Sequence, residues 1–290
     1  MKRIVIASVF SIGLAAIVSA QRGGGGRGNQ PALSPQQSAP IDLTGYWVSV
    51  VTEDWRWRMV TPPRKDYQSL PLNQAARAAA DAWDLAKDDA AGLQCKPFGV
   101  GNIVRQPGRI HITWQDENTL KMEFDAGTQT RLIRFGSSQA PSGPKTWQGN
   151  SLGEWLRPGR NAVADARVSE SREAGTPPGG GGGGLRGAPP RNPTMFEGGS
   201  LRVTTTNFRD GYLRTNGVPY SENASLLEYF DRLPAQSNGD VLLIVSSTLE
   251  DPMYLTAPLY LSTHFKREAN GSKWNPTPCH TDPPSVPRTK

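Results

Sequence analysis

Glu53, Trp55, Trp57 and Met59 share one face if residues 53–59 are extended, because successive side chains of a strand point to opposite sides. That spacing places a carboxyl group beside two indoles. Desolvation there raises a carboxyl pKa and suits the group to general acid or base work. The same alternation in Thr128–Phe135 sets Arg131 with Ile133 and Phe135, and in Ala224–Leu233 it sets Glu228 with Leu226 and Phe230. A charge on an apolar face requires a partner. Arg131 is therefore expected to pair with Glu228 or Glu53 inside the fold. Such a pair reads either as structural or as a pocket where arginine meets an anionic or hydroxyl-rich ligand beside an acid. Trp55 and Trp57 read either as core packing or as a wall on which a sugar or aromatic ring stacks.

His111 and His264 are the histidines inside strand-like segments, and His264 shares a solvated-looking face with Tyr260, Ser262 and Lys266. Glu250-Asp251-Pro252 ends an apolar run. Proline stops a ladder there, so the two acids are expected to project from a sheet end near Tyr254, where loops often carry function. Turn chemistry is the alternative. The catalytic candidates are thus Glu53, Glu228 and His111, and the ligand-binding candidates are Trp55, Trp57, Arg131, Tyr254 and His264. The pattern points first to a module that binds a small amphipathic, saccharide or aromatic ligand. A hydrolase, lyase or isomerase is the second reading, and a structural envelope-associated protein the third. No G-x-S-x-G elbow, phosphate loop or H-E-x-x-H occurs. Neither a cofactor nor a metal is expected.

These residues must be positioned by strands. Leu43–Thr52, Arg109–Asp116, Thr119–Asp125, Thr128–Phe135, Trp147–Trp155, Leu201–Asn207, Ala224–Leu233, Val241–Leu249 and Leu259–Lys266 carry alternating or β-branched patterns. Ala126-Gly127 and Asn238-Gly239-Asp240 read as hairpin turns. Val241–Val245 is apolar throughout, as in a strand buried on both faces. One helix is expected from Asn73, a capping residue, through an alanine-rich run to Trp83. A second helical turn is expected near Gly211–Arg214. The fold class is mostly β: a single antiparallel barrel or sandwich, the barrel favoured, with one short helix in the first half.

Leu43-Thr44-Gly45-Tyr46-Trp47 contains T-G-x-W and resembles the opening of lipocalin-type barrels, which implies a tryptophan closing the barrel floor. A wider likeness runs through Asp66-Tyr67, Leu70-Pro71-Leu72-Asn73, Trp147-Gln148-Gly149-Asn150-Ser151, Gly211 to Ser221 and Glu250 to Thr256. These segments resemble those of a large family of exported bacterial proteins, over about residues 40–279. That resemblance implies no catalytic residue.

The N-terminus reads Met1-Lys2-Arg3, then an apolar run of about 15 residues to Val18, then Ser19-Ala20. This is the layout of a cleavable secretory signal, and the run is short for a membrane span, which takes roughly 20 residues. Residues 1–20 are expected to leave. A Gly/Gln/Pro-rich leader over 21–40 and a tail over 280–290 are expected to be disordered. One β domain is expected over 41–279, interrupted by a disordered Gly/Pro-rich loop at 157–194. The location is then periplasmic or extracellular, with no stable membrane insertion after cleavage. Cys95 and Cys279 are the only cysteines. In an oxidising compartment they form one disulfide most simply. Metal binding with His280 is the alternative. The formal charge is +6 and is dispersed, so nucleic acid is not an expected partner. A small-molecule ligand is, and the sequence leaves the oligomeric state open.

Overall fold

The computed structural model describes residues 32–136, 143–157 and 198–286. Its strands are β1 (Gly45–Val50), β2 (Arg109–Asp116), β3 (Thr119–Phe124), β4 (Gln129–Phe135), β5 (Asn150–Leu156), β6 (Ser200–Thr206), β7 (Gly211–Arg214), β8 (Val218–Tyr220), β9 (Ser225–Arg232), β10 (Leu242–Glu250) and β11 (Leu259–Glu268). Three short helices, α1 (Trp55–Arg58), α2 (Gln74–Asp81) and α3 (Leu85–Ala90), lie between β1 and β2. Nine strands form a closed barrel in the order β1-β11-β10-β9-β6-β5-β4-β3-β2, and β7 and β8 make a separate hairpin. Of the two architectures the alternation allowed, the barrel is the one present.

The segments on either side of the glycine-rich stretch belong to this one barrel, since β5 pairs directly with β6 from Asn150↔Thr206 to Leu156↔Ser200. β1 closes the ring, with Trp47 opposite Arg267 of β11 and Ile110 of β2. All neighbours are antiparallel except β4 and β5, which run parallel over Ile133↔Ser151, Arg134↔Leu152 and Phe135↔Gly153. The interior is filled rather than hollow. Trp47, Ile112, Met122, Ile133, Leu201, Val203, Phe230, Leu243, Val245 and Phe265 are buried in one cluster. Trp47 is fully buried and donates its indole N–H to the Leu43 carbonyl at 2.8 Å.

β1, β3, β6 and β10 all finish at the same end of the barrel, and the long excursions 51–108, 207–224 and 251–258 leave from that end. Single 3-10 turns at Lys96–Phe98 and Ile103–Arg105 plug it with Phe98, Ile103 and Val104. A second cluster covers the plug. In it, Ala76 and Ala80 of α2 pack with Val100, Phe208, Leu213, Val218, Tyr220 and Leu249. The Asn73 side chain accepts the Ala76 N–H at 2.9 Å, the capping bond expected of it. Cys95 and Cys279 form a disulfide with Cα atoms 5.1 Å apart across a sequence separation of 184. It ties the turn after α3 to the C-terminal segment.

Several expectations are corrected. Residues 53–59 are not extended: Asp54 turns left-handed (φ 52), and one helical turn follows. Gly211–Arg214 is strand rather than helix. Val241–Val245 is not buried on both faces, because a barrel strand has an outside: Leu243 and Val245 are buried, whereas Leu242 and Ile244 are half-buried. Part of the leader packs, since Trp155 Nε1 donates to the Pro35 carbonyl at 2.9 Å and Gln36 N to Glu117 O at 3.2 Å. So does part of the tail, with Thr281 buried and Ser285 N donating to Thr61 O at 3.0 Å. The proposed signal (1–20) and nearly all of the 157–194 loop lie outside the described residues. Among those described, no helix is long and apolar enough to cross a membrane.

Candidate functional site

The excursions at the plugged end enclose a cleft of about 280 Å³ between α2, α3 and the β7–β8 hairpin. Its aromatic lining is Trp83, Tyr212, Tyr220 and Tyr254, and its charged lining is Asp84, Lys87, Asp88, Lys96 and Asp210. Local sequence explains the wall. The alanine helix α2 stops at Asp81, and Asp84 caps α3 by accepting the Ala86 N–H at 3.0 Å. Trp83 is held between the two helices and turned inward.

One carboxylate oxygen organises the rings. Asp88 Oδ2 accepts the Trp83 Nε1–H at 2.9 Å and the Tyr212 O–H at 2.7 Å. The two rings meet edge to face, with centroids 6.4 Å apart. Burial, followed by the Asp88 hydrogen bond and charge, pushes the Tyr212 phenol above its ordinary range. It therefore remains a donor at any working pH. Lys96 Nζ lies 2.8 Å from Asp210 Oδ2 and 5.2 Å from the centroid of the Tyr212 ring. Two glycines make these approaches possible. A Cβ at Gly217 (φ +81) would collide with the Trp83 ring, and one at Gly211 would meet the Tyr220 hydroxyl. Tyr254 stands at the rim. Its turn is held by Asp251, whose carboxylate accepts the Ser221 N–H at 2.6 Å, the Ser221 O–H at 2.7 Å and the Met253 N–H at 2.9 Å. Of the two acids expected to project near Tyr254, only Glu250 is exposed, and Asp251 is buried in this turn.

The other sequence candidates fall in three separate places. Arg131 and Glu228 meet inside the barrel with side chains that are 0% exposed. Arg131 Nε donates to Ser151 Oγ at 2.9 Å and Nη2 to Thr205 Oγ1 at 2.8 Å, and Nη2 also bonds the Glu228 carboxylate. Glu53 does not join them. It accepts from Arg58 Nη1 at 2.6 Å, and its other oxygen lies 3.6 Å from His264 Nδ1. Trp55 points to solvent, 64% exposed. Trp57 is half-buried, donates to Asp66 Oδ2 at 3.0 Å and carries the Arg214 guanidinium 4.2 Å from its ring centroid. His111 lies flat on Tyr46, with ring centroids 4.0 Å apart, on the barrel wall.

Tyr254 is thus the one sequence candidate in the cleft. Trp83, Asp88 and Tyr212 were missed because the contact that makes them a site, Tyr212 on Asp88, spans 124 residues, and the local Trp83–Asp88 bond announces no ligand by itself. The available signals were a tryptophan closing an alanine helix and an Asn216-Gly217 turn after an aromatic strand. Among the described residues, no group of three or more His, Cys, Asp or Glu side chains is placed to hold a metal. No family model, curated protein or solved structure matches this chain.

Proposed function

We propose that the protein binds a small hydroxyl-rich ring compound, a saccharide or a phenolic, in the Trp83–Tyr212–Tyr254 cleft. The supporting observation is the lining itself. Aromatic side chains offer apolar surface and polar tips together, while Asp84, Asp88, Asp210, Lys87 and Lys96 supply acceptors and donors around the rim. Ligand sites commonly combine apolar walls with a few placed polar groups. The fixed Asp88 bridge means the walls need little ordering when a ligand enters, which lowers the entropic cost of binding. The reading also takes the chain as exported, on the N-terminal pattern.

Calorimetric titration with mono- and disaccharides and simple phenols tests this. Saturable heat is expected with at least one class. Tyr254→Ala is expected to weaken binding about tenfold or more, with little effect on stability, because that ring stands at a half-buried rim. A panel that gives no heat, or binding indifferent to Tyr254→Ala, rejects this cleft as the site.

A further inference from the structure

A second cluster lies on the other side of the β7–β8 hairpin. Arg58, Arg105 and Arg214 are all buried, with residual exposures of 8%, 6% and 7%. They come from α1, from the turn Ile103–Arg105 and from β7, and meet with Trp57, Asn102 and Gln106 around a space of about 10 Å³, room for a single water. Arg105 and Arg214 also line a pocket of about 160 Å³ with Asp54, Ser69, Leu213 and Tyr260.

The charges here do not balance. Arg58 pairs with Glu53 at 2.6 Å, Arg105 Nη2 with Asp54 at 2.6 Å, and Arg56 with Asp66 at 2.9 Å. Among the described residues Arg214 forms no ion pair with a carboxylate. It donates only to the backbone carbonyls of Asp66 at 3.3 Å and Gln68 at 2.8 Å, and lies over the Trp57 ring. Arg58 Nη2 and Arg105 Nη1 are buried without a partner among the described residues. Burial, then the charge of Arg105, pulls the Arg58 guanidinium down to about 10, and burial pulls Arg214 down to about 10 against the attraction of Asp54 and Asp66. A buried, unbalanced cation with unpaired N–H groups calls for an anion. Guanidinium groups present several donors at once to carboxylate and phosphate oxygens.

We propose that Arg105 and Arg214, with the Arg58 charge behind them, form in the larger pocket a second binding site, separate from the aromatic cleft, for the oxyanion head of a small organic ligand. Leu70, Leu213, Leu259 and Leu261 in the wall of the larger pocket give that ligand an apolar body to contact.

The full chain is titrated with inorganic phosphate and, separately, with sodium benzoate, at an ionic strength fixed by chloride. Saturable binding of either probe supports the site. Phosphate alone assigns a tetrahedral head, and benzoate alone a carboxylate. Arg214→Gln is expected to weaken binding at least tenfold, because it removes the cation that lacks a counter-charge while leaving the Glu53 and Asp54 pairs intact. Its melting temperature without probe is expected to stay level or rise. In the wild-type protein, the bound probe is expected to shield Arg105 and Arg214 from phenylglyoxal, read by mass spectrometry. No saturable binding of either probe overturns the proposal. So does unchanged binding in Arg214→Gln, or shielding confined to other arginines. Saccharide binding in Arg214→Gln is expected to be unaltered, which keeps the two sites' tests apart.

Discussion

Arg131 and Glu228 are two charges with no access to water, and their attraction has to offset the loss of hydration of both. Ser151 and Thr205 help by accepting from the guanidinium. Removing one member strands the other. Glu228→Leu is therefore expected to destabilise the fold by about 3–5 kcal/mol, and Arg131→Met/Glu228→Leu to recover most of that, read by urea unfolding. A double variant no better than the single would assign the loss to packing and to the Ser151 and Thr205 hydrogen bonds rather than to a stranded charge. Asp66 behaves differently because it keeps partial contact with solvent. Burial alone would raise its carboxyl, but hydrogen bonds from Trp57, Arg56 and the Gln68 backbone hold it below the ordinary value of 3.8. A depressed folded pKa gives stability that is present above the unfolded value and lost as pH falls through the folded one. Asp66→Asn is expected to flatten the decline in melting temperature between about pH 4 and pH 2. An unchanged acid limb would assign that decline to other carboxylates. Alternation made the Arg131–Glu228 pair legible, since both residues sit in regular strands where a side chain's face follows from counting. Glu53 was misread because Asp54, one position on, leaves extended geometry to reach Arg105, and nothing local in the sequence announces that partner.

The elements that matter for function are short, and their own propensities do not hold them. β7 and β8 have 4 and 3 residues, yet all seven are buried. An isolated hairpin of that length is marginal in water. It stands here because Phe208, Leu213, Val218 and Tyr220 pack against the plug and α2. Gly217 lets its turn approach the Trp83 ring. Gly217→Ala is expected to cost about 1–3 kcal/mol, through backbone strain and overpacking together. It is also expected to disturb Trp83 fluorescence before global unfolding begins. A melt superimposable on wild type would mean the turn can shift away freely. The barrel strands were readable because each repeats one signal over six or more residues. The hairpin of β7 and β8 was not, because the burial of every side chain erases the two-residue rhythm. The helix α2 was readable from its alanines and its Asn73 cap. α1, a single turn, carries no periodic signal at all.

At the scale of the whole molecule, the long connections gather at one end of the barrel, and the disulfide reaches into that same region. Cys95 follows α3 and Cys279 lies beyond β11, so the bond closes a loop containing most of the described chain. Cys279→Ser is expected to lower global stability by up to about 5 kcal/mol, seen as an earlier denaturation midpoint that dithiothreitol reproduces in the wild type. An unmoved midpoint would mean that unfolding begins elsewhere and leaves this link behind. The barrel's parity has a further consequence. Strand directions can alternate all the way round a ring only when the number of strands is even, and this ring has nine. At least one same-direction neighbour pair is therefore unavoidable, and it falls between β4 and β5, where only three residue pairs hold the edge. Arg131 springs from one side of that join and grips residues on β5, β6 and β9 beyond it. A ring with an odd count has a built-in zipper, and here the teeth farthest inside are ionic.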